Sequence, residues 1–183
     1  MTKPVLFLQG AGEGAYAEDA LLAADLRERL GSAYSVVYPE MPDEGDADFE
    51  SWKRTILEQL LSLGDGVIVV GHSVGGSVVA KLLVDGDLGR APAGIFLVSA
   101  PFWHDHEFWN WKEAELPKDV HQHVPLSLPL FFYHGSADEV VPCSHLDLYE
   151  KAFPSAVVHR LIGRDHQLNN DLSEVARDIR SLS

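Results

Sequence analysis

Six short runs of β-branched and aromatic residues, at positions 5–9, 35–38, 67–70, 95–99, 130–134 and 157–161, alternate with segments of helical periodicity. Most of these runs are apolar at every position rather than at every second one, the pattern of strands covered on both faces. Such strands are parallel, and parallel neighbours need a crossover, which the intervening helices supply. The expectation is a doubly wound α/β fold, a mainly parallel six-stranded sheet with helices on both faces and right-handed crossovers. With 183 residues and 46% apolar composition, the chain suits one domain over residues 1–183.

The helical segments carry their own signals. Leu22, Leu26 and Leu30 form one apolar stripe, with Asp25 and Arg29 spaced for an i,i+4 pair on the outer face. Trp52, Ile56, Leu60 and Leu63 form a second, opened by Asp48 as N-cap. Leu172, Val175, Ile179 and Leu182 form a third, where Asp171 and Glu174 have the spacing of a capping box. The helix beginning near residue 73 is apolar nearly all round, through Val78, Val79, Ala80, Leu82 and Leu83, and is expected to be buried. One long irregular stretch remains, residues 101–129.

Gly71-His72-Ser73-Val74-Gly75 follows the third run directly and leads into that buried helix. A G-x-S-x-G sequence between a strand and a helix is a nucleophile elbow. The turn is sharp enough to strain the serine backbone, so the residues two before and two after must be small. It lifts the hydroxyl clear of the sheet and points the free N–H groups of the next helix toward it. A serine hydroxyl is a weak nucleophile and needs a base, and the base needs a carboxylate to fix its tautomer. Asp138 follows the fifth run in Gly135-Ser136-Ala137-Asp138-Glu139-Val140-Val141-Pro142, and His166 follows the sixth in Gly163-Arg164-Asp165-His166. Glu139 and Asp165 are rival carboxylates for the same role, and Asp165 also suits a turn.

These three segments, with the elbow first, the acid loop second and the histidine before the last helix, resemble the α/β-hydrolase fold family in a compact form. The resemblance covers essentially the whole chain, whose size is similar to that of the small serine hydrolases of the retinoblastoma-binding-protein-9 type. It implies the sheet order 2-1-3-4-5-6 and a triad of Ser73, Asp138 and His166. It also implies an oxyanion hole made of the Val74 N–H and one amide of the loop after the first strand, that of Ala11. That loop reads Gln9-Gly10-Ala11-Gly12, where family members often carry His-Gly at the first two positions. Gly10 and Trp103 are expected to border the substrate. The implied activity is ester cleavage through an acyl-enzyme, needing no cofactor, with thioester or amide cleavage by the same triad as alternatives.

Composition narrows the partners. The 14 basic and 28 acidic residues leave a net charge of −14, which repels nucleic-acid phosphates and anionic membranes. The single cysteine, Cys143, has no partner in the chain for a disulfide, and the first run starts too early for a cleavable signal sequence, so a cytoplasmic location is expected. Gly10-Ala11-Gly12-Glu13-Gly14 lacks the G-x-G-x-x-G spacing of a dinucleotide loop. The pairs His104/His106 and His121/His123 lack the i,i+4 spacing of a zinc protease motif, so no metal is expected. His72 is expected to pack or hydrogen-bond locally. Phe102, Trp103, Phe108, Trp109 and Trp111 crowd the irregular stretch and suit either a cover over the end of the sheet or a short lid above Ser73. A competing class is an interaction protein on the same scaffold, with that aromatic segment as its contact patch.

Overall fold

The computed structural model describes residues 2–89, 91–104 and 107–182. Strands β1 (Lys3–Leu8), β2 (Tyr34–Val37), β3 (Ile68–His72), β4 (Gly94–Val98), β5 (Leu130–Gly135) and β6 (Val157–Leu161) form one sheet in the order 2-1-3-4-5-6. Every pairing is parallel, with Val5 opposite Ile68, Ile68 opposite Gly94 and Phe131 opposite Val157. Among the described residues five α-helices connect or follow the strands: α1 (Ala15–Leu30), α2 (Phe49–Leu63), α3 (Ser73–Asp85), α4 (Ser144–Ala152) and α5 (Ser173–Ser181).

Alternate side chains along a strand face opposite sides, so each central strand feeds two cores. Val5 and Phe7 of β1 pack with Leu22, Leu26 and Leu30 of α1 and with Val175 and Ile179 of α5. Leu6 and Leu8 pack on the other side with Trp52, Ile56 and Leu60 of α2 and with Val78 and Val79 of α3. This two-sided burial explains why β1, β3 and β4 read as unbroken apolar runs. Helix α3 is buried at ten positions, among them Ser73, Gly75, Gly76 and Val79, as its all-round apolar sequence requires. β6 lies at the sheet's edge, and Val157 there is 46% exposed.

Local signals hold in most places. Asp48 caps α2, its carboxylate accepting the Ser51 N–H at 2.8 Å, and Arg29 pairs with Asp25 at 2.7 Å. The capping box at α5 differs from expectation. Asp171 accepts the Ser173 N–H, whereas Glu174 turns to Arg164 and to the Ser173 hydroxyl. Arg164 is the stronger competitor because a guanidinium bond to a carboxylate is charge-assisted.

Candidate active site

β3 passes into α3 with no intervening loop, and Ser73, the first helical residue, has φ 48°. A non-glycine residue held there costs on the order of 1–3 kcal/mol, and the surroundings must enforce it. They do so by backbone packing. A Cβ on Gly71 would lie 2.6 Å from the Gly76 Cα, and one on Gly75 would lie 2.3 Å from the Gln9 carbonyl oxygen. Gly75→Ala is therefore expected to force β1 and α3 apart, at about 1–3 kcal/mol. Thermal unfolding should register this as a fall in Tm of roughly 2–10 °C.

His166 sits in the turn after β6. Asp165 shapes that turn: its carboxylate accepts the Asn169 N–H at 2.7 Å, while the Asn169 side-chain oxygen accepts the Asp165 N–H at 3.0 Å. The carboxylate that meets the imidazole is that of Asp138, 2.8 Å from His166 Nδ1. The Glu139 side chain belongs to an exposed residue, whereas the Asp138 side chain is fully buried. Asp138 Oδ1 accepts the N–H groups of Val140 and Val141, and Oδ2 also faces His134 Nε2 at 3.1 Å. Burial raises the Asp138 carboxyl, but the bonds from His134 and His166 outweigh it and hold the group well below the usual carboxylate range.

Ser73 and His166 line one cavity of about 190 Å³, together with Gly10, Ala11, Ala15, Glu18, Val140 and others. Among the described residues no direct hydrogen bond joins the Ser73 hydroxyl to His166. Such bonds are often long in unliganded sites and tighten around substrate. With Nδ1–H directed at an ionised carboxylate, the free lone pair of the neutral ring is on Nε2.

The loop after β1 is packed onto Ser73. A Cβ on Gly10 would lie 3.0 Å from Ser73 Cβ and 3.5 Å from Ser73 Oγ. The Gly10 N–H is taken by Asp19 Oδ2 at 2.7 Å, which leaves the next amide, that of Ala11, for a ligand. The Val74 N–H lies in the first turn of α3, where no intrahelical acceptor exists. Gln9 is fully buried and staples this loop, donating to Glu44 Oε2 at 2.9 Å and accepting the Met41 N–H at 2.9 Å.

His72, expected to bond locally, instead reaches across the fold. Nδ1 meets Asp19 Oδ2 at 2.8 Å and Nε2 meets the His166 carbonyl oxygen at 3.1 Å. Burial pushes the His72 ring down, yet the Asp19 carboxylate and these bonds prevail and the net direction is up. Burial likewise raises Asp19, and the His72 charge together with the bonds from His72, Gly10 and Gln167 reverses it, so the net direction is down.

The signs fix the pH dependence of stability. Asp138 and Asp19 both have depressed carboxyls, so the unfolded chain binds their protons near pH 4 while the folded chain does not. Their stabilisation is present above about pH 4 and lost as pH falls through their lower folded values. His72 acts oppositely, stabilising below about pH 6.5 and ceasing to do so above its raised folded value. We expect Tm to fall between pH 5 and pH 3, by less in an Asp138→Asn variant.

Comparison with solved structures fits this architecture. An esterase from a Rhodococcus strain aligns over 100% of this chain and 92% of its own, at 19% identity and a TM-score of 0.68. A 2-hydroxy-6-oxo-6-phenylhexa-2,4-dienoate hydrolase, also from Rhodococcus, covers 97% of this chain and 89% of its own at 17% identity and a TM-score of 0.71. A serine hydrolase involved in carbazole degradation covers 98% and 90%, at 14% identity and a TM-score of 0.71. The chain has the α/β-hydrolase fold. No family model and no curated protein sequence matches it.

Within this α/β-hydrolase fold, Ser73, His166, Gly10 and Ala11 meet at one cavity at the carboxyl ends of the strands, and Asp138 stands behind His166. Trp103 is not among the residues lining that cavity. A buried indole N–H seeks an acceptor, and the Ser77 hydroxyl, one turn beyond the nucleophile, accepts it at 2.8 Å. The ring packs edge-on against Trp111, which in turn meets Phe49 of α2. Phe102, Trp103 and Trp111 thus cover the core on the α2/α3 side. Trp103→Phe should lower Tm while leaving KM for a short ester within about twofold, a test of cover against pocket wall.

His104 Nδ1 lies 3.0 Å from the Phe102 carbonyl oxygen, and His123 is 3.6 Å from Asp119. His106 and the His121 side chain lie outside the described residues. Among the described residues, no helix is long and apolar enough to cross a membrane. Asp19, His134 and Gln167 also meet the site and went unread in the sequence: Asp19 and Gln167 are brought there only by the fold, and His134 carries no motif.

Proposed function

We propose that this chain is a serine hydrolase, carboxylesterase-like, which cleaves a small ester through an acyl-enzyme. Ser73 Oγ attacks the ester carbonyl as His166 Nε2 takes its proton, and Asp138 holds Nδ1–H and stabilises the imidazolium. The amides of Val74 and Ala11 receive the oxyanion. His166 returns the proton to the departing alcohol, then takes one from water as it attacks the acyl-enzyme and passes it to Ser73 Oγ as the acid is released. No step calls for a cofactor.

The observation that carries this reading is the 2.8 Å contact between His166 Nδ1 and Asp138 behind a cavity shared by His166 and Ser73. The solved neighbours named above, hydrolases by description, support the same class. A cavity of about 190 Å³ matches a short acyl group, since each water displaced from such a space accounts for roughly 30 Å³. The charge of −14 favours a small-molecule partner over nucleic acid or an anionic membrane, and a lone cysteine suits a cytoplasmic location.

A second reading, an interaction module, draws on Phe108 of the aromatic segment, which is 75% exposed. Residues 101–129 would then serve as a contact patch rather than a lid. A fluorophosphonate probe separates the two. A working triad is labelled at Ser73, identified by mass spectrometry of the modified peptide. A folded protein that resists the probe, and that leaves p-nitrophenyl acetate intact, is not a serine hydrolase.

A further inference from the structure

Asp19 and His72 form a pair whose side chains are each 1% exposed, and both border the cavity that Ser73 lines. Two loops of the site converge on the pair at the end of β3. The Gly10 N–H from the β1 loop donates to Asp19 Oδ2 at 2.7 Å, and the Gln167 amide from the histidine loop donates to Oδ1 at 3.0 Å. His72, the residue before the nucleophile, occupies Oδ2 as well, at 2.8 Å, and its other nitrogen donates to the His166 carbonyl oxygen at 3.1 Å. The rings of His72 and His166 lie 4.8 Å apart between centroids.

The protons on this network follow from its partners. A carbonyl oxygen only accepts, so His72 Nε2 carries a proton. Asp19 already accepts from Gly10 and Gln167, which stabilises the ionised carboxylate, so His72 Nδ1 carries a proton too. A buried imidazolium with its carboxylate is an expensive way to fill a core, and well-packed apolar residues would serve stability as well or better. What apolar residues would not supply is direction: three hydrogen bonds leave the pair, one to the β1 loop and two to the histidine loop.

We propose that Asp19 and His72 are positioning residues for the proposed hydrolase reaction, fixing the His166 loop and the Gly10–Ala11 loop relative to Ser73. This rests on the serine hydrolase reading. By engaging the Gly10 N–H, Asp19 turns the following peptide so that the Ala11 amide faces the oxyanion. By holding the His166 carbonyl and Gln167, the pair sets the height of the imidazole above the serine. Both border the cavity, but among the described residues neither hydrogen-bonds to the Ser73 hydroxyl or to the His166 ring nitrogens. Their loss acts through the misplacement of the reacting groups, and a displacement near 1 Å costs on the order of a hundredfold in rate.

Two variants each cut one arm. His72→Asn keeps a donor near the position of Nδ1 for Asp19 and loses the bond to the His166 carbonyl. Gln167→Leu loses only the bond to Asp19, from a half-buried position that tolerates the change. Both are compared with the unaltered protein for fluorophosphonate labelling rate and for kcat and KM on p-nitrophenyl acetate, normalised to the folded fraction. We expect His72→Asn to lower kcat and labelling rate together by roughly 30- to 100-fold with KM within about threefold, and Gln167→Leu by about 3- to 10-fold. The double variant should lose less than the product of the two, because both arms hold one loop. A labelled wild type whose variants shift only Tm, with kcat and labelling rate unchanged, overturns this inference alone. If His72→Asn does not fold, wild-type kcat in Gln167→Leu overturns it. A wild type that is neither labelled nor active overturns the hydrolase reading and this inference with it.

Discussion

Ser73→Ala is expected to lower kcat by roughly 10⁴–10⁶ while the fold and Tm stay close to those of the parent. In the proposed mechanism the serine makes the bond to the acyl carbon, so no neighbouring group replaces it. The residual rate comes from the oxyanion amides and from substrate binding alone. Stability should barely change, for two reasons. Alanine has the same difficulty as serine at φ 48°, so the backbone strain is common to both. In addition, no hydrogen bond to the Ser73 hydroxyl is present among the described residues, so its removal leaves no buried partner unsatisfied. Steady-state kinetics on p-nitrophenyl acetate, with Tm measured alongside, check both halves. Full activity in a folded variant would remove Ser73 from the mechanism.

Much of this site could be read before the fold was seen, and what could not has a common cause. The six runs and the order of the strands follow from periodicity and from the family resemblance, with strand ends displaced by one or two residues, as such boundaries usually are. The elbow is legible because its demands are local. Gly71, Gly75 and Ser73 sit within five positions, and each glycine is required by a backbone approach of under 3 Å. Asp19 is different. It lies 53 positions from His72 and 148 from Gln167, and only the completed sheet brings the three together. Sitting in the first turns of an amphipathic helix, it reads from sequence as one more surface acid. His134 is hidden for a related reason. It sits within a β5 run that is otherwise apolar, and its role depends on Asp138 folding back across the strand end. Trp103 turns its N–H to the Ser77 hydroxyl, a direction that composition, which identifies only an aromatic cluster, does not give.

Asp138→Asn is the second large effect, and its size follows from counting donors. Asp138 accepts two backbone amides at Oδ1 and His166 at Oδ2, where His134 Nε2, 2.8 Å from the Val141 carbonyl oxygen, also lies 3.1 Å away. An asparagine has one accepting oxygen and one donating nitrogen. If the oxygen stays with the Val140 and Val141 amides, the NH₂ group faces two histidine nitrogens. His166 then meets it only by presenting a lone pair at Nδ1, which moves the ring proton to Nε2, the atom that must accept from Ser73. If the amide flips, the NH₂ confronts two fixed backbone N–H groups, the worse arrangement because those donors cannot change tautomer. The first orientation therefore prevails and the base is held in the wrong tautomer. We expect kcat at neutral pH to fall by about 10⁴ with KM changed by less than about threefold, since the cavity wall is untouched. The disturbed hydrogen bonds should also cost about 1–3 kcal/mol of stability. The two measurements separate roles that one carboxylate combines. A variant that loses Tm but keeps kcat would show Asp138 to be a strut for the loop at residues 138–141, with His166 working unaided.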